Sequence, residues 1–227
     1  MSTRKQTKGN CAFCGREMTS GGMSRHLQSC PERQKAIQTA VSSKTAPQPC
    51  YHLLVRDAYN RDFWLHLEMN GRSTLQDLDR YLRAIWLECC GHLSQFSVGG
   101  WRGSEIPMNR KLESVVAPGH EMTHIYDFGT SSETVIKTVA VRLGNPLTQH
   151  PITLMARNSL PDATCAECGA AATWYCADCV VTRGKWINLC AAHRSNHDHD
   201  EYGGPSPLIN SPRLGMCGYD GPAEPPY

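Results

Sequence analysis

Residues 51–89 read YHLLVRDAYNRDFWLHLEMNGRSTLQDLDRYLRAIWLEC, and this stretch sets the fold class. Tyr51, Leu53 and Val55 alternate with other residues, and so do Phe63, Leu65, Leu67 and Met69. A two-residue period turns one face of each segment inward and predicts two strands. The period then changes: Leu75, Leu78, Leu82, Ile85 and Cys89 fall on one helical stripe. Ser73-Thr74-Leu75-Gln76 reads as a capping box opening that helix, with Asp79 and Arg83 as an i, i+4 pair on its outer side. Further strands are expected at 93–98, 123–128 and 134–143, the last with Val135, Val139, Val141 and Leu143 on one side. Strands, a helix and more strands predict an α+β fold, a β-grasp-like sheet with a covering helix, over residues 50–155.

Small cysteine-rich units flank this domain. Towards the N-terminus, Cys11-x2-Cys14-x11-His26-x3-Cys30 has zinc-ligand spacing, with Met18 and Met23 as apolar filling. The final x3 spacing puts His26 and Cys30 on one face of a helix. A unit of this size (residues 8–35) buries too little surface to fold alone, so metal binding, worth about 10–16 kcal/mol in such peptides, would supply its folding energy. It resembles a two-cysteine, two-histidine zinc finger whose last His has become Cys. On that resemblance the base-facing positions hold Thr19, Gly21, Gly22 and Arg25. Glycine offers no hydrogen-bonding side chain, so sequence reading by this finger is not expected. Residues 36–49, rich in Gln, Ser, Thr, Ala and Pro, read as a linker.

Residues 165–199 hold Cys165-x2-Cys168-x7-Cys176-x2-Cys179-x10-Cys190-x2-His193-x3-His197-x-His199. Eight ligands suffice for two closed tetrahedral sites, leaving no open position for water. The order resembles a B-box. That resemblance implies a cross-brace in which Cys165, Cys168, Cys190 and His193 share one zinc, and Cys176, Cys179, His197 and His199 another. The alternative is a zinc ribbon closed by Cys165, Cys168, Cys176 and Cys179 alone. The module with its tail spans 160–219; Trp174, Tyr175 and Trp186 are its candidate contact aromatics, and Cys217 is expected to pack as a small apolar residue. The Pro-rich end, 220–227, is expected to be disordered. Three zinc ions per chain follow.

The central segment also resembles the plasmid pRiA ORF-three-like family, which includes passenger proteins of insertion sequences. The resemblance rests on Phe63-Trp64, Leu75-x2-Leu78, His92-Leu93-x2-Phe96 and Ile125-Tyr126-Asp127-Phe128-Gly129 followed by Glu133. The chain departs from that family's polar pattern at Thr130, Ser132, Glu133, Thr134 and Ser94. It therefore implies a binding scaffold rather than a catalyst.

His120-Glu121-Met122-Thr123-His124 matches a metalloprotease motif that works only on a helix. Ile125 to Phe128 follow at once as a strand, and two strand His four residues apart lie about 13 Å apart, beyond the reach of one metal.

Of the 12 cysteines at least six fall in Cys-x2-Cys or Cys-x2-His spacings, which points to metal sites in a reducing cytoplasm, and no apolar run is long enough for a membrane span. Net charge is +2 for the chain, but +6 for residues 1–49, −1 for 50–150 and −3 for 151–227. The basic head makes nucleic acid the alternative partner, through phosphate contacts of Arg4, Lys5, Lys8, Arg16 and Arg33 and a base contact of Arg25. An enzyme using Asp127, Glu133, His92 and His124 is a further alternative. The expectation is a non-enzymatic adaptor or regulator of a prokaryotic mobile-element or phage-related system, acting through a protein partner.

Overall fold

The computed structural model describes residues 6–41, 46–199 and 201–227. The predicted phosphate contacts Arg4 and Lys5 lie outside them. The fold is α+β, built on a nine-stranded sheet: β1 (Lys8–Cys11), β2 (Glu17–Thr19), β3 (Gln48–Asp57), β4 (Trp64–Asn70), β5 (Ser94–Val98), β6 (Ser104–Ile106), β7 (Glu121–Tyr126), β8 (Ser132–Gly144) and β9 (Ile152–Asn158). Their order across the sheet is β2-β1-β9-β4-β3-β8-β7-β5-β6. Every neighbouring pair is antiparallel.

Helix α3 (Leu75–Leu82) covers one face and ends in a wider π-type turn, Arg83–Leu87. Leu53, Val55, Leu65, Leu67 and Met69, the inward residues of the alternating pattern, meet Leu75, Leu78, Leu82, Ile85 and Trp86 there, all fully buried. Each such side chain contributes about 1.5–3 kcal/mol of burial free energy, which makes this the main core. The capping box sits one residue later than the sequence pattern suggests. Thr74 is the N-cap and its partner is Asp77, because the Ser73 N–H donates to the Asn70 carbonyl and closes the turn after β4. Asp79, expected on the outer side, is only 6 % exposed and faces His124.

The predicted apolar side of β8 is split. Val139 is bulged out of the β3–β8 ladder, where His52 pairs with Ala140 but Leu53 with Thr138. A bulge of one residue exchanges the two faces. Thr134, Ile136 and Thr138 therefore turn inward, Val139 packs on the opposite face, and Val141 and Leu143 end at 40 % and 78 % exposure.

The N-terminal unit, β1, β2, α1 (Ser20–Ser29) and α2 (Pro31–Ala40), is joined to the sheet by backbone hydrogen bonds rather than standing apart. Strand β1 pairs with β9, from Gly9 opposite Asn158 to Cys11 opposite Ala156. A Cβ on Gly9 would lie 2.0 Å from the Arg157 carbonyl oxygen, so this approach requires glycine. Met23, Leu27, Cys11 and Cys30 share a second core with Leu54, Trp64, Met155 and Ala156 on the face α3 leaves free. Helix α2 runs to Ala40 and β3 starts at Gln48, so much of the expected 36–49 linker is regular structure.

A separate three-stranded sheet, ordered β11-β10-β12, contains β10 (Trp174–Cys176), β11 (Asn188–Leu189) and β12 (Pro205–Pro207), with α4 (Ala177–Arg183) and α5 (Ala191–Ser195) beside it. The chain then returns to the central domain: Ser211 Oγ donates to the Trp86 carbonyl at 2.7 Å, and the Arg213 side chain is fully buried. Residues 220–227, expected to be disordered, pack instead. Arg157 donates to the Ala223 carbonyl at 2.9 Å, and the Tyr227 ring stacks on His150 at 4.1 Å. Prolines lower the entropy this segment loses on ordering, and its terminal aromatic ring supplies apolar area. Among the described residues no helix is long and apolar enough to cross a membrane.

Candidate metal centres

Among the described residues four groups of side chains could each hold a metal ion, and in each the four ligand atoms lie within 4.8 Å of one another. Bonds of about 2.0–2.1 Å to imidazole and 2.3 Å to thiolate set tetrahedral edges of about 3.3–3.8 Å. The distances between ligand atoms can be compared with that figure.

The first group is Cys11, Cys14, His26 and Cys30. Cys11 ends β1, a tight turn through Gly15 (φ +72°) carries Cys14, and α1 brings His26 and then Cys30 at its C-terminus. The Cys14 Sγ to His26 Nε2 distance is 3.2 Å. Burial against the sheet raises the Cys11 thiol to about 11, so a bound cation must displace its proton.

The second group joins Cys165 and Cys168 to Cys190 and His193, and the third joins Cys176 and Cys179 to His197 and His199. This is the alternating grouping that the B-box resemblance implies. The two pairs a four-cysteine ribbon would need fall in different groups. Edges in the second group are 3.4 Å for Cys165–His193, 3.3 Å for Cys190–His193 and 3.9 Å for Cys168–Cys190. In the third they are 3.5 Å for Cys176–His199, 3.4 Å for Cys179–His197 and 3.3 Å for Cys179–His199. Desolvation raises the Cys165 thiol, but backbone N–H groups around it outweigh that and bring it down to about 6, favouring the thiolate a metal needs. Asp178, 2 % exposed, accepts from the N–H groups of Tyr202 and Gly204 and fixes the loop that follows His199.

Of the module's aromatics, Tyr175 is buried and stacks on Trp186 at 4.7 Å, while the Arg194 guanidinium lies 3.6 Å over the Trp174 ring. Trp186 keeps 45 % exposure.

The fourth group, Cys89, Cys90, His92 and Cys217, is not apparent from the sequence. Cys217, expected to pack as an apolar residue, is exposed beside Cys90 and His92. Cys89-Cys90-x-His92 matches no familiar ligand spacing, and its last member lies 125 residues further on. Together the four groups use eleven of the 12 cysteines. The twelfth, Cys50, is buried in β3, where desolvation pushes its thiol up to about 11.

Of the enzyme alternative, His92 and Asp127 meet, His92 Nε2 lying 3.5 Å from Asp127 Oδ2, but His124 and Glu133 are held elsewhere. His124 is fully buried and its Nε2 lies 2.7 Å from Asp79 Oδ1, which also accepts from Ser94 Oγ at 2.6 Å. Glu133 accepts from the Tyr59 hydroxyl at 2.6 Å. Asp127 is paired with Arg213 at 2.7 Å. Burial alone would raise its carboxyl; the Arg213 guanidinium and the N–H groups of Thr130 and Gly129 outweigh it and hold it at about 2. His124 lies in β7 as expected, while His120 precedes the strand and donates its N–H to the Ala117 carbonyl at 3.0 Å; neither joins a metal group.

The basic residues of the head also separate. Arg33 is 7 % exposed and bridges Glu68 Oε2 at 2.7 Å and the Leu27 carbonyl at 2.9 Å, so it is not available to a phosphate. A side chain predicted from charge alone to face solvent is drawn inward by a buried carboxylate on β4. Lys8 pairs with Glu17 at 3.2 Å, while Arg16 and Arg25 are exposed.

No family model matches this chain, and no curated protein does. Among solved structures it is similar to a protein of unknown function from Methanosarcina mazei Go1, at 18 % identity and a TM-score of 0.40, over 47 % of this chain and 68 % of that one.

Proposed function

We propose that this chain is a zinc-organised, non-enzymatic adaptor or regulator that works in the cytoplasm through contacts with another protein. The carrying observation is that each predicted metal group closes on four protein ligands. Closed thiolate–imidazole sets suit zinc, which is redox-inert and accepts tetrahedral geometry without preference, and they leave no coordination position for a substrate. The polar residues of the enzyme alternative support the same reading, since Asp127, Glu133 and His124 each have a partner of their own.

A protein partner is favoured over nucleic acid because Arg33 is buried and Lys8 is paired, and because Gly21 and Gly22 stand where a DNA-reading finger needs polar side chains. Exposed apolar side chains also fit a protein contact. The Trp101 and Phe128 rings meet edge to face at 5.2 Å, with 40 % and 44 % of their surfaces exposed. The link to a mobile-element or phage-related system rests on the family resemblance of the central segment.

The test is affinity purification on the immobilised, zinc-loaded full chain, run beside a Trp101→Ser/Phe128→Ser variant. A protein retained by the wild type and lost by the variant is expected. Retained nucleic acid, released steeply as salt rises, would overturn the reading in favour of a phosphate-binding head.

A further inference from the structure

We infer that Cys89, Cys90, His92 and Cys217 bind a fourth zinc ion, and that this ion is a clasp fastening the C-terminal tail to the central domain. The ligand distances carry the inference. Cys89 and Cys90 sulfurs are 3.7 Å apart, Cys90 and Cys217 sulfurs 3.8 Å, and His92 Nε2 lies 3.4 Å from Cys217 Sγ and 2.9 Å from Cys90 Sγ. Three of the four match the edges of a tetrahedral thiolate–imidazole site, and a disulfide, at about 2.05 Å, is far shorter than either sulfur pair. The same spacings recur in the three groups whose sequence pattern already announces metal.

The surroundings are built for the site. After the π-type turn the chain runs Glu88-Cys89-Cys90-Gly91-His92, and the Tyr126 hydroxyl organises this loop. It accepts from the N–H groups of Cys89 at 3.4 Å and His92 at 3.3 Å, and donates to Glu88 Oε1 at 3.1 Å. Glu88 Oε1 in turn accepts from the Gly91 N–H at 2.6 Å. Outer partners of this kind orient ligands before a metal arrives.

Three thiolates on a divalent ion leave one negative charge, and the buried Arg213 answers it, donating from Nη2 to Cys89 Sγ at 3.3 Å. Arg213 also holds Asp127, whose Oδ2 lies 3.5 Å from His92 Nε2. On the tail side, Cys217 has φ +52° and ψ +36°, a left-handed conformation that a residue with a side chain rarely adopts. That conformation lets the tail present its sulfur to the loop.

Metal binding would release the thiol protons to solvent and join segments more than 120 residues apart. Four protein ligands close the site, so its role is structural.

Native mass spectrometry of the full chain, purified with zinc and without chelator, tests this. Four zinc ions are expected for the wild type and three for Cys217→Ser. Cys90→Ser gives the same subtraction should Cys217→Ser fail to accumulate, and both side chains are exposed, so neither change opens a core. Hydrogen exchange supplies the second readout: the amides of Met216 and Tyr219, bonded to Arg213 and Met216 carbonyls, are expected to exchange about tenfold faster in the variant than in the wild type. Equal zinc counts in wild type and both variants overturn the site. A lower count with unchanged tail exchange overturns the clasp. Failure of the adaptor proposal would appear as an absent protein partner and leaves this subtraction unaffected.

Discussion

Replacing Arg33 by Met tests whether the N-terminal unit belongs to the sheet or to a nucleic-acid partner. Arg33 lies on α2, and Glu68, 2 % exposed on β4, accepts from it and from Arg142 on β8. Met keeps the apolar stem in place but removes the hydrogen bonds to Glu68 and to the Leu27 carbonyl. Hydrogen bonds of charged groups are worth about 1.5–3 kcal/mol each. Arg142 still compensates Glu68, so the loss stays below the sum and is expected at about 3 kcal/mol. For a chain of this size that corresponds to a fall in Tm of about 6–12 °C. Glu68→Ala, which leaves two guanidinium groups without their carboxylate, should cost about 3–5 kcal/mol. The double variant should lose less than the sum of the single losses, by about 1–3 kcal/mol. The assay is thermal and urea unfolding at fixed free zinc, repeated in high salt; burial predicts little change between the two salt conditions. An Arg33→Met protein with a Tm within about 2 °C of wild type, or an additive cycle, refutes the argument. Weakened DNA binding with unchanged stability would return Arg33 to the phosphate-contact reading.

Gly9→Ala is expected to separate β1 from β9, because the new Cβ would sit 2.0 Å from the Arg157 carbonyl oxygen; loss of amide protection at Ala12 and Ser159, whose N–H groups donate to the Met155 and Lys8 carbonyls, checks it in hydrogen exchange, and retained protection counts against the close approach. A third prediction concerns acid. His52 Nε2 and His66 Nδ1 are 2.8 Å apart, and His66 Nε2 lies 3.2 Å from the Ser20 carbonyl oxygen, so His66 donates from Nε2 and accepts from His52. Burial lowers His52 to about 3 and His66 to about 4. Between those values and the ordinary value near 6.5 the unfolded chain binds more protons than the folded one, so this contribution is full above about pH 6.5 and declines as pH falls towards 4. Each His removes up to about 1.4 kcal/mol per pH unit in that window. His66→Gln should flatten the pH dependence of the urea midpoint between pH 7 and 5 relative to wild type; parallel curves would refute it.

The parts of this molecule that are legible in sequence are those whose partners are close in the chain. The two-residue alternation of Leu53, Val55, Leu65 and Leu67 and the stripe through Leu75, Leu78 and Leu82 gave the main core, because periodicity reports which face of one element is buried. Cys-x2-Cys and Cys-x2-His spacings disclosed eight of the twelve expected ligands, and the short His26-x3-Cys30 and His197-x-His199 spacings the other four, because residues this close in the chain can reach one ion together. What was missed depends on distant partners. Cys89 reads as helix stripe and His92 as family motif, and Cys90 carries no signal of its own, until Cys217 arrives beside them. Arg33 reads as a solvent charge until Glu68 is found beneath it. The bulge at Val139 breaks a stripe that the residue types alone make continuous, and Tyr227 reads as the end of a disordered run until His150 stacks on it.

The β1–β9 pairing also has a consequence in time. During synthesis Cys11 leaves the ribosome 145 residues ahead of its partner Ala156. At about 5–20 residues per second, that is a wait of about 7–30 s. Through this interval the N-terminal unit lacks β9 with Met155 and Ala156 beneath it, so on the proposed zinc reading the ion held by Cys11, Cys14, His26 and Cys30 would be what keeps its fold. In a cell starved of zinc the unit would arrive unfolded, β9 would have no neighbour on that side, and the largest sheet of the molecule would present a free edge to other nascent chains. Metal supply would then govern how much of the protein escapes aggregation.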